Sequence, residues 1–349
     1  MGVKTGDNIK KYLLPTFLMC IITLLLFLYL AKMEKLALGF LLMAILLLVM
    51  NVLFRLLINK GIKGYGFISK TIKTILFLFL VLINLTITFS TTILLFSDEM
   101  FFYPNQDKES YEKNLKNKQY TEIQFESNNK EYSGWLLKKE EGRAPLVIYF
   151  GGNGECSARR FLMNKESNYW HYFDGYNFLM VDYPGYGNSI GTPSDDSMFD
   201  MAVKTYDYAV TRKDVDSNNI VLMGYSIGTG VATYLASLRN VHGLILMAPY
   251  DEGISLYNSM IDIFHGPMKY LVRNKFESIK YAKSVDLQPL LLVSKADELI
   301  PNESSIHLSD AFPNGSKLNF LEDVKHGFFW EEKEVLEHVK EYLQEVVYE

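Results

Sequence analysis

The chain has 349 residues, 49% of them hydrophobic, and a formal net charge of −5. That is too long for one average domain, and two cysteines are too few for a disulfide framework. Residues 1–99 carry ten Lys/Arg against four Asp/Glu, a net of +6, which leaves −11 for residues 100–349. So acidic a C-terminal part argues against a nucleic-acid-binding surface.

The positive part contains three long apolar runs, at 12–31, 36–54 and 74–97, none holding a charged residue. A bilayer-spanning helix needs about 20 predominantly apolar residues, and each run is long enough. Soluble core helices of that length usually show a polar stripe, so buried core helices are the poorer reading. The first run is longer than the apolar segment of a signal peptide and has no small-residue cleavage site before Lys32. It reads as a retained helix. The third run holds Asn84 and several threonines, whose hydroxyls hydrogen-bond back onto a helix and do not exclude membrane depth.

Positive charge sets orientation. Lys4, Lys10 and Lys11 precede the first run, and Lys60, Lys63, Lys70 and Lys73 lie between the second and third. Both segments are therefore expected on the cytoplasmic side. Three spans place residues 98–349 on the outer side, although the outer turn at Lys32–Lys35 also carries two lysines. The domains expected are a three-helix transmembrane region at 1–99, a linker at 100–119 and one soluble domain at 120–349.

From Tyr120 the pattern changes. Residues 121–126 and 131–137 alternate apolar and polar around Ser127-Asn128-Asn129-Lys130, which predicts a hairpin. Apolar runs follow at 146–150, 177–181, 220–223, 243–248 and 290–294, with a further strand at 317–321. Helical patterns lie between them, notably at 194–211 and 331–346. Short continuous apolar strands separated by helices predict an α/β fold, a mostly parallel doubly wound sheet covered on both faces.

Gly224-Tyr225-Ser226-Ile227-Gly228 fits the G-x-S-x-G nucleophile elbow. A buried strand at 219–223 precedes it, and a helical stretch with small residues near its start follows at 229–239. The motif thus has the strand–turn–helix setting it needs. A serine hydroxyl is a poor nucleophile at neutral pH and requires a base oriented by an acid. Asp297 follows the strand at 290–294, with Pro301 placed to start the next helix. Asp286 precedes that strand, at the wrong edge, and Asp323 stands only three residues before His326. Among six histidines, His326 follows the last strand; His171 and His242 fall at the opposite edge, His307 and His338 in helices, and His265 in an insertion. Ser226, Asp297 and His326 run in the order Ser…Asp…His.

For the oxyanion hole, Tyr149-Phe150-Gly151-Gly152-Asn153-Gly154 closes an earlier strand. The backbone N–H groups of Asn153 and Ile227 are the expected donors. A phosphate-binding loop is the poorer reading, since the stretch lacks both the Lys-Ser/Thr of a P-loop and G-x-G-x-x-G spacing. Asp182-Tyr183-Pro184-Gly185-Tyr186-Gly187-Asn188-Ser189 reads as a structural turn beside the site, and Cys156 as incidental.

On these residues the chain from about Tyr120 onward resembles the α/β-hydrolase superfamily. It is most similar to a membrane-anchored branch related to serine aminopeptidase-like and monoacylglycerol-lipase-like hydrolases. The resemblance implies an α/β-hydrolase fold with Ser226 as nucleophile, Asp297 as acid and His326 as base. One departure stands out: relatives often carry His-Gly-Asn where this chain has Gly151-Gly152-Asn153. The apolar stretch at 250–288 is longer than a simple crossover and is expected to be lid-like, with Tyr225, Met260 and Phe264 near substrate.

The function expected is a membrane-anchored serine hydrolase acting on an ester or thioester of an acyl chain or lipid, without cofactor or metal. Its partners would be the lipid bilayer and a small-molecule or lipid ester, and no nucleic acid. A serine peptidase needs the same triad and stays open. A non-catalytic envelope protein would not require all three triad positions. The apolar runs hold no acid or histidine at mid-membrane, so they read as anchors rather than an ion pathway.

Overall fold

The computed structural model describes residues 45, 47, 48, 51, 52 and 66–348, except 128–129 and 140–141. The first apolar run lies outside the described residues, and the second contributes only five positions, all helical. Two compact units divide the chain, residues 1–95 and 96–349.

The third apolar run forms most of α1, a continuous helix at Phe67–Phe101. Its segment Phe67–Thr86 is long and apolar enough to cross a membrane. Ile68, Ile72, Ile75, Leu78, Phe79, Leu82 and Leu85 are exposed along it. Asn84 is buried in the first unit. It donates to the Leu80 carbonyl (2.7 Å) and accepts from Asn51 Nδ2 (3.0 Å). Asn51 in turn donates to the Leu47 carbonyl (2.7 Å). Each amide is satisfied by its own helix and by the other, a polar link suited to two apolar helices.

After the end of α1 the second unit continues with α2 (Lys108–Leu115), within the expected linker. The hairpin follows, with β1 (Tyr120–Ser127) and β2 (Lys130–Leu137) antiparallel. Then come β3 (Ala144–Phe150), α3 (Ser157–Glu166), β4 (Asn177–Val181), α4 (Asp195–Val210), β5 (Val215–Tyr225) and α5 (Ile227–Ala236). The second half holds β6 (Gly243–Met247), α6 (Gly253–Met260), α7 (Ser278–Ala282), β7 (Leu290–Ser294), α8 (Asn302–Ser309), β8 (Lys317–Leu321) and α9 (Lys333–Tyr348).

One eight-stranded sheet runs in the order β1-β2-β4-β3-β5-β6-β7-β8. β2 pairs antiparallel with β4, and all pairs from β4 to β8 are parallel. The middles of the central strands are apolar because helices cover both faces: Leu146, Val147, Ile148, Leu222, Leu246 and Leu291 are all 0% exposed. Each such side chain contributes about 1.5–3 kcal/mol by leaving water.

From β3 the chain goes to β4 on one side, then crosses to β5 on the other. The crevice beyond the carboxyl ends of β3 and β5 is therefore a topological switch point, where open α/β sheets bind ligands. The register aligns Phe150 with Gly224, and Gly224 with Leu246. Loops leaving β3, β5, β7 and β8 consequently emerge at one edge of the sheet.

Candidate active site

Ser226 caps α5 with φ 52° and ψ −122°, a strained conformation for a non-glycine residue. The two elbow glycines make this turn possible. A Cβ on Gly224 would come within 2.5 Å of the Gly228 carbonyl oxygen, and one on Gly228 would overlap the Phe150 carbonyl. The turn is held by Ser226 N–H, which donates to the Met247 carbonyl (2.9 Å). Thr229 Oγ donates back to the Ser226 carbonyl (2.7 Å).

His326 opens a short 3-10 turn after β8. Its Nε2 lies 2.9 Å from Ser226 Oγ, and its Nδ1 lies 2.8 Å from Asp297 Oδ2. The Asp297 side chain is 2% exposed and that of His326 10%. With Nδ1–H donating to the carboxylate, Nε2 is left as acceptor for the serine hydroxyl. Asp297 Oδ1 also accepts from the backbone N–H groups of Leu299 (2.8 Å) and Ile300 (2.9 Å), which fix the carboxylate. Glu298 Oε2 accepts from His326 N–H (3.1 Å). The structure thus brings together three side chains from the ends of β5, β7 and β8.

Asn153 and Ile227 stand at the ends of β3 and β5, and among the described residues neither backbone N–H has an acceptor. Gly151 carries no side chain, and its place is taken: a Cβ there would lie 2.6 Å from Glu155 Oε2 and 2.8 Å from Met180 Cε. Glu155 Oε2 accepts from Gly152 N–H (3.2 Å) and from Tyr149 O–H (2.8 Å). Its other oxygen pairs with Arg160, whose guanidinium lies 4.4 Å from the centre of the Trp330 ring. Trp330 Nε1 donates to Tyr149 Oη (2.8 Å). A carboxylate–guanidinium pair, its Arg160 buried and its Glu155 partly so, therefore occupies the space behind this loop.

The 182–189 turn braces the same loop. Tyr183 O–H donates to the Gly151 carbonyl (2.8 Å). Asp182 accepts from Ser157 N–H (2.6 Å) and Ser157 O–H (2.7 Å), capping α3. Burial pushes the Asp182 carboxyl up to about 6, against the bonds from Ser157 that pull it down. Cys156 is buried, which pushes its thiol up to about 11 and leaves it a thiol at neutral pH.

The residues expected near substrate fall in different places. Tyr225 is 8% exposed. Its hydroxyl donates to the His326 carbonyl, and its ring stacks on that of His326 at 5.4 Å. It supports the base from behind rather than forming a lid. Phe264 is buried, edge-on to Tyr257 at 5.5 Å, inside the packing of the 250–288 insertion. Met260 ends α6 and is 41% exposed. An apolar pattern marks lid-like residues without separating those that face a pocket from those that hold the insertion together.

The expected linker also differs from its sequence reading. Phe101 and Phe102 are 2% and 3% exposed within the second unit. Phe101 stacks on Tyr257 at 4.1 Å. Sequence reasoning missed this segment, Glu155 and the Asn153 side chain. The only signal was the aromatic pair itself, unusual in a solvated linker.

The strand order and the strained elbow define the class: an α/β-hydrolase fold. A family model described as alpha/beta hydrolase fold matches residues 145–271. In that segment the chain is similar to the α/β-hydrolase superfamily, and it shares the superfamily's fold. YfhR of Escherichia coli O157:H7 is 29% identical over 204 residues, covering 55% of this chain and 68% of that protein. An alpha-beta hydrolase from Vibrio vulnificus superposes with a TM-score of 0.53 at 19% identity, over 69% of this chain and 84% of that one. The Pyrococcus furiosus esterase Pf2001 gives 0.54 at 16% identity, over 71% and 97%. At such identities the two structures share the fold with this chain.

Proposed function

We propose that this chain is a membrane-anchored serine hydrolase that cleaves a carboxylic ester or thioester, lipid-like or carrying an acyl chain, through an acyl-enzyme. The observation that carries this reading is the hydrogen-bonded series Ser226–His326–Asp297 at a strained elbow. Ser226 Oγ attacks the substrate carbonyl while His326 Nε2 takes its proton. Asp297 stabilises the imidazolium that forms. The developing oxyanion is held by the N–H groups of Ile227 and Asn153. The tetrahedral intermediate collapses, and the leaving alcohol or thiol departs with the proton from His326. Water, deprotonated by the same histidine, then releases the carboxylic acid and restores Ser226.

Anchoring is supported by the exposed apolar surface of α1 and, in the sequence, by the two apolar runs before it. The lysine distribution favours a cytoplasmic N-terminus and an extracytoplasmic catalytic domain. A membrane-tethered enzyme meets acyl-chain esters at the bilayer, which supports that substrate class.

Full-length protein should react with a fluorophosphonate probe, and Ser226→Ala should abolish labelling and lower ester turnover by about 10⁴-fold or more. Labelling that survives Ser226→Ala would sink the assignment. Comparing an ester with the amide of the same acyl group decides between esterase and peptidase action. A reporter fused at residue 110 tests the orientation, and a cytoplasmic signal refutes it.

A further inference from the structure

We infer that residues 101–105, the strap that directly follows α1, belong to the machinery of the oxyanion hole, holding Asn153 in place from outside the sheet; this rests on the serine-hydrolase reading. The strap makes a set of bonds to the two loops that flank the site. Asn153 Nδ2 donates to the Phe101 carbonyl (2.5 Å). Asn153 Oδ1 accepts from Tyr103 N–H (3.0 Å) and from Tyr186 O–H (2.8 Å). Tyr103 N–H also approaches Tyr186 Oη (3.2 Å). Two residues on, Asn105 Nδ2 donates to the Gly154 carbonyl (3.1 Å) and the Asn105 carbonyl accepts from Gly187 N–H (2.8 Å).

Both ends of the Asn153 amide are therefore engaged by protein. That side chain positions a loop; it is not the group that meets substrate. The peptide on either side of it is short of other restraints. Gly152 and Gly154 flank Asn153, and Gly154 sits at φ +85°. A glycine-flanked loop left to itself samples many conformations. Three braces narrow it: Glu155 from inside, through Gly152 N–H; the 182–189 turn, through the Gly151 carbonyl and the Asn153 side chain; and the strap from outside, through the Asn153 side chain and the Gly154 carbonyl.

The strap's own position is fixed by apolar packing. Phe101 stacks on Tyr257 with ring planes 7° apart, and Phe102 meets Phe276 edge-on at 6.4 Å. Tyr257 and Phe276 belong to the 250–288 insertion. The same five residues thus touch the oxyanion loop, the 182–189 turn and the insertion. Because an oxyanion donor works only at about 3 Å from the developing charge, a loop displaced by a fraction of that loses transition-state stabilisation more than substrate binding.

The test uses full-length protein in detergent and three mild variants: Tyr186→Phe, Asn105→Ala and Asn153→Asp, the last keeping the acceptor while removing donation to Phe101. Turnover is measured on p-nitrophenyl butyrate and on its thionoester, in which the carbonyl oxygen is sulfur. Sulfur is larger and a weaker acceptor, so an intact oxyanion hole prefers the oxygen ester. Each variant should lower kcat on the oxygen ester by about 10-fold with KM changed less than about two-fold, and thionoester turnover should fall less. A shrinking oxygen-to-sulfur preference is the signature. Thermal midpoints measured alongside show whether each variant is folded. If folded variants keep wild-type kcat, or lose both activities in proportion, the strap only supports the fold and the inference is overturned. Wild-type protein that neither labels with fluorophosphonate nor turns over either ester overturns the serine-hydrolase reading, and this inference with it.

Discussion

The two halves of the site are built in different ways. On the nucleophile side, Ser226, Asp297 and His326 each leave the end of a parallel strand within a few residues, and local backbone geometry places them. On the oxyanion side, the loop after β3 has two glycines before Asn153, one after it, and little local order. It is held by the neighbouring Glu155–Arg160 pair and by groups far away in sequence: Tyr183, Tyr186, Trp330 and the strap at 101–105. A sheet edge delivers side chains to fixed points at no further cost. A glycine loop that presents backbone N–H groups must be fixed by something else. Changes on the first side should therefore remove chemistry and spare the fold, while changes on the second should disturb both.

The largest expected effect tests the first half of that contrast. Asp297→Asn keeps the shape of the side chain and the acceptor for Leu299 and Ile300, but can donate to His326 Nδ1 and select the wrong tautomer. Turnover of an ester should drop by about 10⁴-fold, with the thermal midpoint little changed. Equal losses of activity and stability would erase the distinction between the two sides.

Glu155 tests the second half. Glu155→Ala leaves the buried Arg160 guanidinium without its counter-charge and the Gly152 and Tyr149 donors without an acceptor. Removing one partner of a buried pair costs about 4 kcal/mol, and a loosened loop should lower kcat by about 100-fold. Glu155→Gln retains an acceptor and should recover part of the turnover but little of the stability. Denaturation and steady-state kinetics on the same samples check this. Wild-type kcat in a folded Glu155→Ala protein would show that the loop needs no inner brace.

The same contrast explains what was legible in the sequence. The strands at 177–181, 290–294 and 317–321 coincide with β4, β7 and β8. In β4 and β7 a nearly continuous apolar run leaves little choice of limits, whereas β8 is mixed and only its last residue is buried. Ser226, Asp297 and His326 could be chosen because strand ends and chain order are one-dimensional information. The elbow glycines were readable for a steric reason that the Gly224 and Gly228 contacts bear out. The oxyanion brace was not readable. Glu155 sits 5 residues from Arg160 but 175 from Trp330, and nothing in a pattern announces that a carboxylate fills the space beside Gly151. The strap falls in the expected linker at 100–119 because it ends the apolar region and precedes the polar stretch at 111–119. Phe101 and Phe102 find partners in an insertion more than 150 residues away.

Asp182 gives the smallest effect and the sharpest sign. Its carboxyl is raised from 3.8 to about 6, first by burial, while the bonds from Ser157 act in the opposite direction. The folded state therefore holds this proton more tightly than the unfolded chain. As pH rises above about 4 the unfolded state ionises first, and stability falls until the folded group also ionises near pH 6; above that the loss is constant. A rise from 3.8 to about 6 corresponds to about 3 kcal/mol lost across this window. Asp182→Asn has no such titration. It also accepts only one of the two bonds from Ser157, a cost of about 1 kcal/mol that is the same at every pH. The absolute stability of the variant is thus a poor test, and the slope is the good one. Relative to wild type, Asp182→Asn should gain about 3 kcal/mol between pH 4 and pH 7 in denaturant titrations. Parallel profiles would mean that the capped helix behind the oxyanion loop carries no buried charge, and would remove the pH sensitivity assigned to that side of the site.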